Sequence, residues 1–319
     1  MHDVLKQIGL LGIVPVIAIE DANDAEPLAQ ALIDGGLPCA EVTFRTAAAK
    51  DAISRIAKKF PDMALGAGTV LTVDQVKAAV DCGAKYIISP GLNPKTVEYC
   101  VANGIPVTPG VATPSEVEQA LGFGLEVVKF FPAEQAGGLP FLKAMSAPYK
   151  QVKFIPTGGI EEKNLLSYLM FPSVLACGGS WMVKTEMISA KQFEQIRLLT
   201  EQAVKTMLGF QLRHVGFNME TPEEALAVSN ELAALTGMPV KEGTSSNFVG
   251  MQFEVMKKKF LGTHGHLAIG TNFIERAMAY MERRGYAIRH ETRYEKNGKL
   301  ASVYLEQEIG GFALHLLQL

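Results

Sequence analysis

The chain has 319 residues, 48% of them hydrophobic and 20% charged, the balance of a globular protein with a substantial core. A formal net charge of −3 and a sequence pI near 6.1 exclude the basic footprint expected of a nucleic-acid or anionic-membrane binder. The basic run Lys257-Lys258-Lys259 reads as a solvated turn. No long apolar stretch suggests a signal peptide or a membrane span. Cys39, Cys82, Cys100 and Cys177 are scattered without a CxxC pair, as expected of reduced core thiols in a cytoplasmic protein.

From the N-terminus, short apolar runs alternate with helical patterns. Eight candidate strands cover 13–19, 39–44, 64–67, 86–89, 106–108, 127–130, 153–156 and 174–176. Helix-like stretches lie between them at 24–34, 47–59, 73–81, 94–102, 114–121 and 161–168. Start signals support several of these: Asp24, Thr72 before Val73, and Thr113-Pro114-Ser115-Glu116 with proline at the first helical position. Strict alternation of buried strand and helix demands parallel strands with helical crossovers. The fold class is therefore α/β, and eight units predict a (β/α)₈ TIM barrel. A doubly wound open sheet is the competitor, weakened because no GxGxxG follows the first strand.

Chemistry gathers at the strand ends, the rim on which barrel enzymes build their sites. Lys129 stands inside the apolar run Val127-Val128-Lys129-Phe130-Phe131. Lysine is rarely buried without a partner or a purpose, and desolvation favours the neutral, nucleophilic amine. Such an amine condenses with a ketone to a Schiff base. Glu41, Thr43 and Arg45 alternate and so are expected on one side of the second strand. Glu41 suits proton transfer, and Arg45 offers a planar fork for a carboxylate. Thr157-Gly158-Gly159 and Gly179-Ser180 form Gly-rich ends after the last two strands, where backbone N–H groups can cradle a phosphate. Together these parts fit carbon–carbon cleavage of a phosphorylated keto acid.

The stretch 1–208 resembles the 2-keto-3-deoxy-6-phosphogluconate (KDPG) and 4-hydroxy-2-oxoglutarate (KHG) aldolases. The resemblance rests on IVPVI, EVTFRT, GAGTVL, ISPGLN, VKFFPAE, PTGGI and GGSWMV, in that order. It implies a homotrimeric class I aldolase without a cofactor, with Lys129 as the Schiff-base lysine and Glu41 as general acid/base. It also implies a pyruvyl pocket of Arg45, Thr69 and Pro90. The distal phosphate would lie against Thr157, Gly158, Gly159, Gly179 and Ser180. The sequence departs from many relatives where Glu20-Asp21 follows the first strand, which bears on sugar-acid preference. A 6-phosphogalactonate substrate is one alternative. Another is a sugar-phosphate isomerase or epimerase barrel with a sensor or oligomerisation domain appended.

After Gly209 the pattern changes, and residues 212–319 form a second expected domain. A strand opening at Leu212 and a helix over 222–235 are echoed by a strand opening at Thr263 and a helix over 272–284. Each half then ends in a strand that follows a glycine, from Gly250 and from Gly311, and Asn297-Gly298 marks a hairpin turn. His214 aligns with His266, and Glu254 with His315. This paired βαβββ pattern, an α+β domain, resembles the glyoxalase/bleomycin-resistance (vicinal oxygen chelate) family. The resemblance implies a divalent metal, Zn, Ni, Fe or Mn, at His214, Glu254, His266 and His315; His264, two residues from His266 and so expected on the same face, is the substitute for it.

Overall fold

The computed structural model describes residues 1–319 and divides into two compact units, Met1–Met207 and Leu208–Leu319. No helix is long and apolar enough to cross a membrane.

The first unit is a TIM-barrel-like α/β fold. Its strands are β1 (Ile13–Ile17), β2 (Cys39–Thr43), β3 (Ala64–Gly68), β4 (Tyr86–Ile88), β5 (Val107–Thr108, resuming after Pro109 as Gly110–Val111), β6 (Val127–Phe130), β7 (Lys153–Pro156) and β8 (Cys177–Gly179). All neighbouring pairs are parallel, and isolated bridges Phe154–Val174 and Thr157–Gly178 join β7 to the last strand region. Helices α1 (Asp3–Leu11), α2 (Ala25–Asp34), α3 (Ala49–Lys59), α4 (Val73–Asp81), α5 (Pro94–Ala102), α6 (Pro114–Gly122), α7 (Gly138–Ser146), α8 (Glu162–Leu169), α9 (Thr185–Ser189) and α10 (Phe193–Leu208) complete the order. Local chemistry sets their starts. Thr72 accepts from the Gln75 N–H, and Thr113 and Glu116 form a reciprocal capping box behind Pro114.

Several expected boundaries move. The last barrel strand is not 174–176 but the glycine-rich Cys177–Gly179, which pairs with Ile13–Pro15. Side-chain room explains the shift: a Cβ at Gly178 would collide with Thr157, and one at Gly179 with the Trp181 ring. The apolar residues 174–176 only lead into the strand. Pro109, which has no N–H, splits the fifth strand, and its carbonyl accepts the Lys129 N–H at 2.9 Å. Helix α1, absent from the sequence reading, buries Leu5, Ile8 and Leu11 along one face.

The second unit is rich in sheet. Strands β9 (Gln211–Asn218), β10 (Val240–Glu242), β11 (Ser246–Val249), β12 (Phe253–Met256), β13 (Gly265–Thr271), β14 (Ile288–Lys296), β15 (Lys299–Ile309) and β16 (Phe312–Gln318) form one sheet in the order β10-β11-β12-β9-β13-β16-β15-β14. Helix α11 (Pro222–Thr236) follows β9, and α12 (Ile274–Arg283) follows β13. The Asn297-Gly298 turn joins β14 to β15 with φ of 54° and 70°, the left-handed pair a tight hairpin demands. The strand expected to start at Gly250 starts at Phe253 instead, because Gly250 (φ 60°) belongs to a turn.

Gly66 shows how tightly the barrel interior is filled. Tyr86 is 2% exposed and its ring lies where a Cβ on Gly66 would stand. Gly66→Ala should cost about 1–3 kcal/mol of stability through overpacking. A urea unfolding midpoint equal to that of the unmodified chain would refute this.

Candidate functional site

Lys129 sits on β6, flanked in register by Gly110 and Ile155. Glu41 sits on β2 between Val16 and Gly66. Both point into the barrel, where Lys129 Nζ lies 3.1 Å from Glu41 Oε1. Lys129 is 6% and Glu41 3% exposed. A Cβ on Gly68 would collide with the Glu41 carboxylate, so this glycine makes room for it. The fully buried Tyr86 fills the space beside Gly66, the register partner of Glu41, and its hydroxyl donates to the Ala40 carbonyl at 3.3 Å. Burial raises this phenol well above its ordinary range. The Phe131 ring stands 5.3 Å from Lys129 Nζ. No sequence signal pointed to the placement of Tyr86, which depends on a glycine, Gly66, in the neighbouring strand.

Arg45 lies beyond the end of β2, in an exposed turn. It therefore does not continue the alternation of Glu41 and Thr43. Its Nε donates to Thr69 Oγ1 at 3.3 Å. Thr43 donates to the Ile17 carbonyl at 2.7 Å and is occupied there. Thr69 has φ 56°, a strained conformation for a β-branched residue of the kind that gathers at functional sites. Pro90 is half-buried, and its carbonyl packs against Gly110.

At the ends of β7 and β8, Thr157 is buried, while Gly158 and Gly159 have successive φ of 99° and 77°. Gly179 closes β8 and Ser180 follows it, exposed. The barrel thus carries a buried amine–carboxylate pair, a guanidinium at the end of β2, and glycine-rich turns at the ends of β7 and β8.

The second unit gathers a different set. His214 pairs in register with Ala268, and Ala268 with His315. Gly216 pairs with both His266 and Glu254. Residues opposite one another project to the same face, as do residues two apart in one strand. All four candidate ligands therefore share one face, with the small Gly216 and Ala268 between them. A Cβ at Gly216 would occupy the space of the His266 ring. His214 Nε2, His266 Nε2 and Glu254 Oε2 are mutually 3.1 Å apart. The ring nitrogens of His214, His266 and His315 lie within 4.8 Å of one another. Ser246 donates to Glu254 Oε1 at 2.6 Å. The Tyr304 ring stacks on His315 at 4.6 Å, and Phe248 meets His214 edge-on at 5.6 Å. His264 is not part of the group; it is exposed, precedes β13, and packs against Phe312. Ser246, Phe248 and Tyr304 escaped sequence reasoning because cross-strand register alone brings them here.

Burial alone would raise the Glu254 carboxyl, but hydrogen bonds with His214, His266 and Ser246 outweigh it and hold it well below the usual range. Burial, reinforced by the neighbouring His266 and His214, pushes His315 down to about 3.

Comparison with known proteins places the first unit. The family model for KDPG and KHG aldolases matches residues 4–199. The chain belongs to this family of aldolases, which are carbon–carbon lyases. The 2-dehydro-3-deoxy-phosphogluconate aldolase of Treponema pallidum is 47% identical over 205 residues, 64% of this chain and 98% of that protein. The KHG/KDPG aldolase of Escherichia coli is 42% identical over 193 residues, 60% of this chain and 91% of its own length. Among solved structures, KDPG aldolase from Legionella pneumophila, with pyruvate captured as a covalent carbinolamine, matches with TM-score 0.61. It is 42% identical and covers 62% of this chain and 97% of that one. KDPG aldolase from Zymomonas mobilis with 3-phosphoglycerate matches with TM-score 0.60 and 41% identity, over 64% and 96% of the two chains.

The depressed His315 fixes a pH dependence. Between its ordinary 6.5 and about 3, the unfolded chain binds a proton that the folded chain refuses. Stability of the metal-free second unit should therefore fall as pH drops through this window. Thermal unfolding of the full-length chain at stepped pH reads this, and His315→Phe should flatten the slope. An unchanged slope in that variant would contradict the assignment.

Proposed function

We propose that the first unit is a class I, Schiff-base aldolase. It cleaves KDPG to pyruvate and glyceraldehyde 3-phosphate, and also 4-hydroxy-2-oxoglutarate to pyruvate and glyoxylate. The observation that carries this reading is the buried Lys129–Glu41 pair, 3.1 Å apart inside the barrel. Passing one proton from Nζ to Oε1 leaves a neutral amine and a neutral acid, both compatible with a dry interior. The amine attacks the C2 ketone, and the carbonyl oxygen leaves as water to give an iminium. Glu41, as carboxylate, then takes the proton of the C4 hydroxyl. The C3–C4 bonding pair flows into the iminium, the aldehyde departs, and an enamine remains. Glu41 returns the proton to C3, and water hydrolyses the pyruvyl iminium to release pyruvate and the free lysine.

The other residues fit the rest of the substrate. Arg45, held through Nε by Thr69, offers its remaining guanidinium N–H groups to the substrate carboxylate beside Thr69 and Pro90. Thr157, Gly158, Gly159, Gly179 and Ser180 receive the phosphate. Two similar enzymes support this: one holds pyruvate covalently, and one was solved with 3-phosphoglycerate. The expected assembly is a homotrimer, as the family resemblance implies.

Lys129→Ala should abolish borohydride trapping of pyruvate, read as loss of the reduced pyruvyl mass increment on the peptide carrying residue 129. Trapping retained in this variant would overturn the mechanism. Glu41→Gln should lower kcat by roughly 10²–10⁴-fold, the usual worth of a general acid/base. A loss under threefold would remove Glu41 from proton transfer.

For the second unit we infer a divalent-metal centre at His214, Glu254, His266 and His315, in a glyoxalase/bleomycin-resistance-like domain of two βαβββ halves. One observation favours it. Three donor atoms stand mutually 3.1 Å apart, and no single proton can bridge all three edges. Ligands about 2.1 Å from one ion stand roughly 3.0–3.4 Å from each other, which these spacings match. Both ring nitrogens of His315 are buried without a partner, as a ligand awaiting an ion would be. Elemental analysis should find roughly one zinc, nickel, iron or manganese ion per chain, lost in a His214→Ala/His266→Ala double variant. Equal metal content in both proteins would refute the site.

A further inference from the structure

The turn after β7 carries a device that neither the sequence motifs nor the aldolase reading assigns. Three successive carbonyls are each tied down. Thr157 O accepts from the Ala133 N–H at 2.8 Å, Gly158 O from the Glu134 N–H at 3.1 Å, and Gly159 O from Asn164 Nδ2 at 3.0 Å. In a trans peptide the C=O and the next N–H point in opposite directions. Fixing the Gly158 and Gly159 carbonyls therefore turns the N–H groups of Gly159 and Ile160 away from Glu134 and Asn164. Neither N–H has an acceptor in the protein. The φ values of 99° and 77° at Gly158 and Gly159 let two adjacent peptides present their donors in succession, as an anion-binding nest does.

The ties are themselves anchored. The hydroxyl of buried Tyr168 donates to Glu134 Oε1 in a short hydrogen bond. The Glu134 side chain also packs on Gly159 so closely that a Cβ there would strike its Cγ. Asn164 Oδ1 accepts from the Glu161 N–H at 2.8 Å, which orients the amide so that its NH₂ faces Gly159. Glu134, Asn164 and Tyr168 thus hold the turn from behind.

We propose that Glu134, Asn164 and Tyr168 are positioning residues: the Glu134 main-chain N–H and the Asn164 amide hold the Gly158 and Gly159 carbonyls, while the Glu134 side chain, packed on Gly159 and anchored by Tyr168, backs the turn, so that two free N–H groups are aimed at the substrate and confer preference for a phosphorylated aldehyde. None of them touches the reacting atoms. Two directed N–H groups and the Ser180 hydroxyl provide three donors, enough for the three terminal oxygens of a phosphate and more than a neutral hydroxymethyl end can use. The inference rests on the aldolase reading and deepens its phosphate end.

The test runs in the addition direction, with pyruvate and either glyceraldehyde 3-phosphate or unphosphorylated glyceraldehyde. Asn164→Ala, Glu134→Ala and Tyr168→Phe should each lower kcat/KM for the phosphorylated aldehyde tenfold or more, mainly through KM, and change it less than twofold for glyceraldehyde. Glu134→Gln keeps an acceptor for Tyr168 and should restore most of the loss. Tyr168→Phe removes a single oxygen and keeps the ring, so it carries the test if a truncation fails to fold. Equal losses with both aldehydes would make the three residues merely structural, and undiminished use of glyceraldehyde 3-phosphate would also overturn the proposal. Borohydride trapping of pyruvate at Lys129 in the same variants separates the two readings. Normal trapping with no change in aldehyde preference defeats only this inference, whereas no trapping in the unmodified enzyme defeats the aldolase reading beneath it.

Discussion

An amine and a carboxyl group held 3.1 Å apart in a nearly dry barrel set the terms for the first unit. Desolvating two charges costs several kcal/mol per ion before their attraction offsets it. An apolar pair of similar volume would fill the space without that cost. The surroundings are shaped to hold the pair nonetheless. Gly68 yields space to the Glu41 carboxylate, Gly66 yields space to the Tyr86 ring, and the β6 ladder fixes Lys129 from both sides. Buried pairs of ionisable groups that cost this much concentrate where chemistry is done.

Much of this was legible in the sequence. The runs at 127–130 and 153–156 coincide with β6 and β7 because strands buried on both faces read as continuous apolar stretches. Helix starts at Val73 and Pro114 were legible through their caps. The misplaced last strand shows the limit. Cys177-Gly178-Gly179 carries almost no hydrophobic signal, since Thr157 and Trp181 fill the room its side chains would need. Only the tertiary arrangement reveals that glycine there is a packing requirement. Arg45 was placed one step too far along a regular strand, because periodicity gives no warning of where a strand ends.

In the second unit, the four-residue set came from a family resemblance carried by a paired strand–helix pattern, which marks positions along the chain without showing what lies next to them. The neighbours were invisible for that reason. Ser246 reaches Glu254, and Tyr304 covers His315, across strands whose partners are fixed by sheet order and not by distance along the chain. His264 and His266 differ by two residues, yet only the second lies within β13. The small residues Gly216 and Ala268, which carry no chemistry, decide whether the imidazoles can converge at all.

The register of β6 carries one more consequence. Lys129 is pinned opposite Gly110 on one side and Ile155 on the other, and side chains along a strand alternate between inside and outside. Slipping this ladder by a single residue would turn the amine toward the surrounding helices and bring Val128 or Phe130 into its place. An inserted or deleted residue within Val127–Phe130 would therefore misplace the amine, whereas one in the connections on either side would leave the ladder intact.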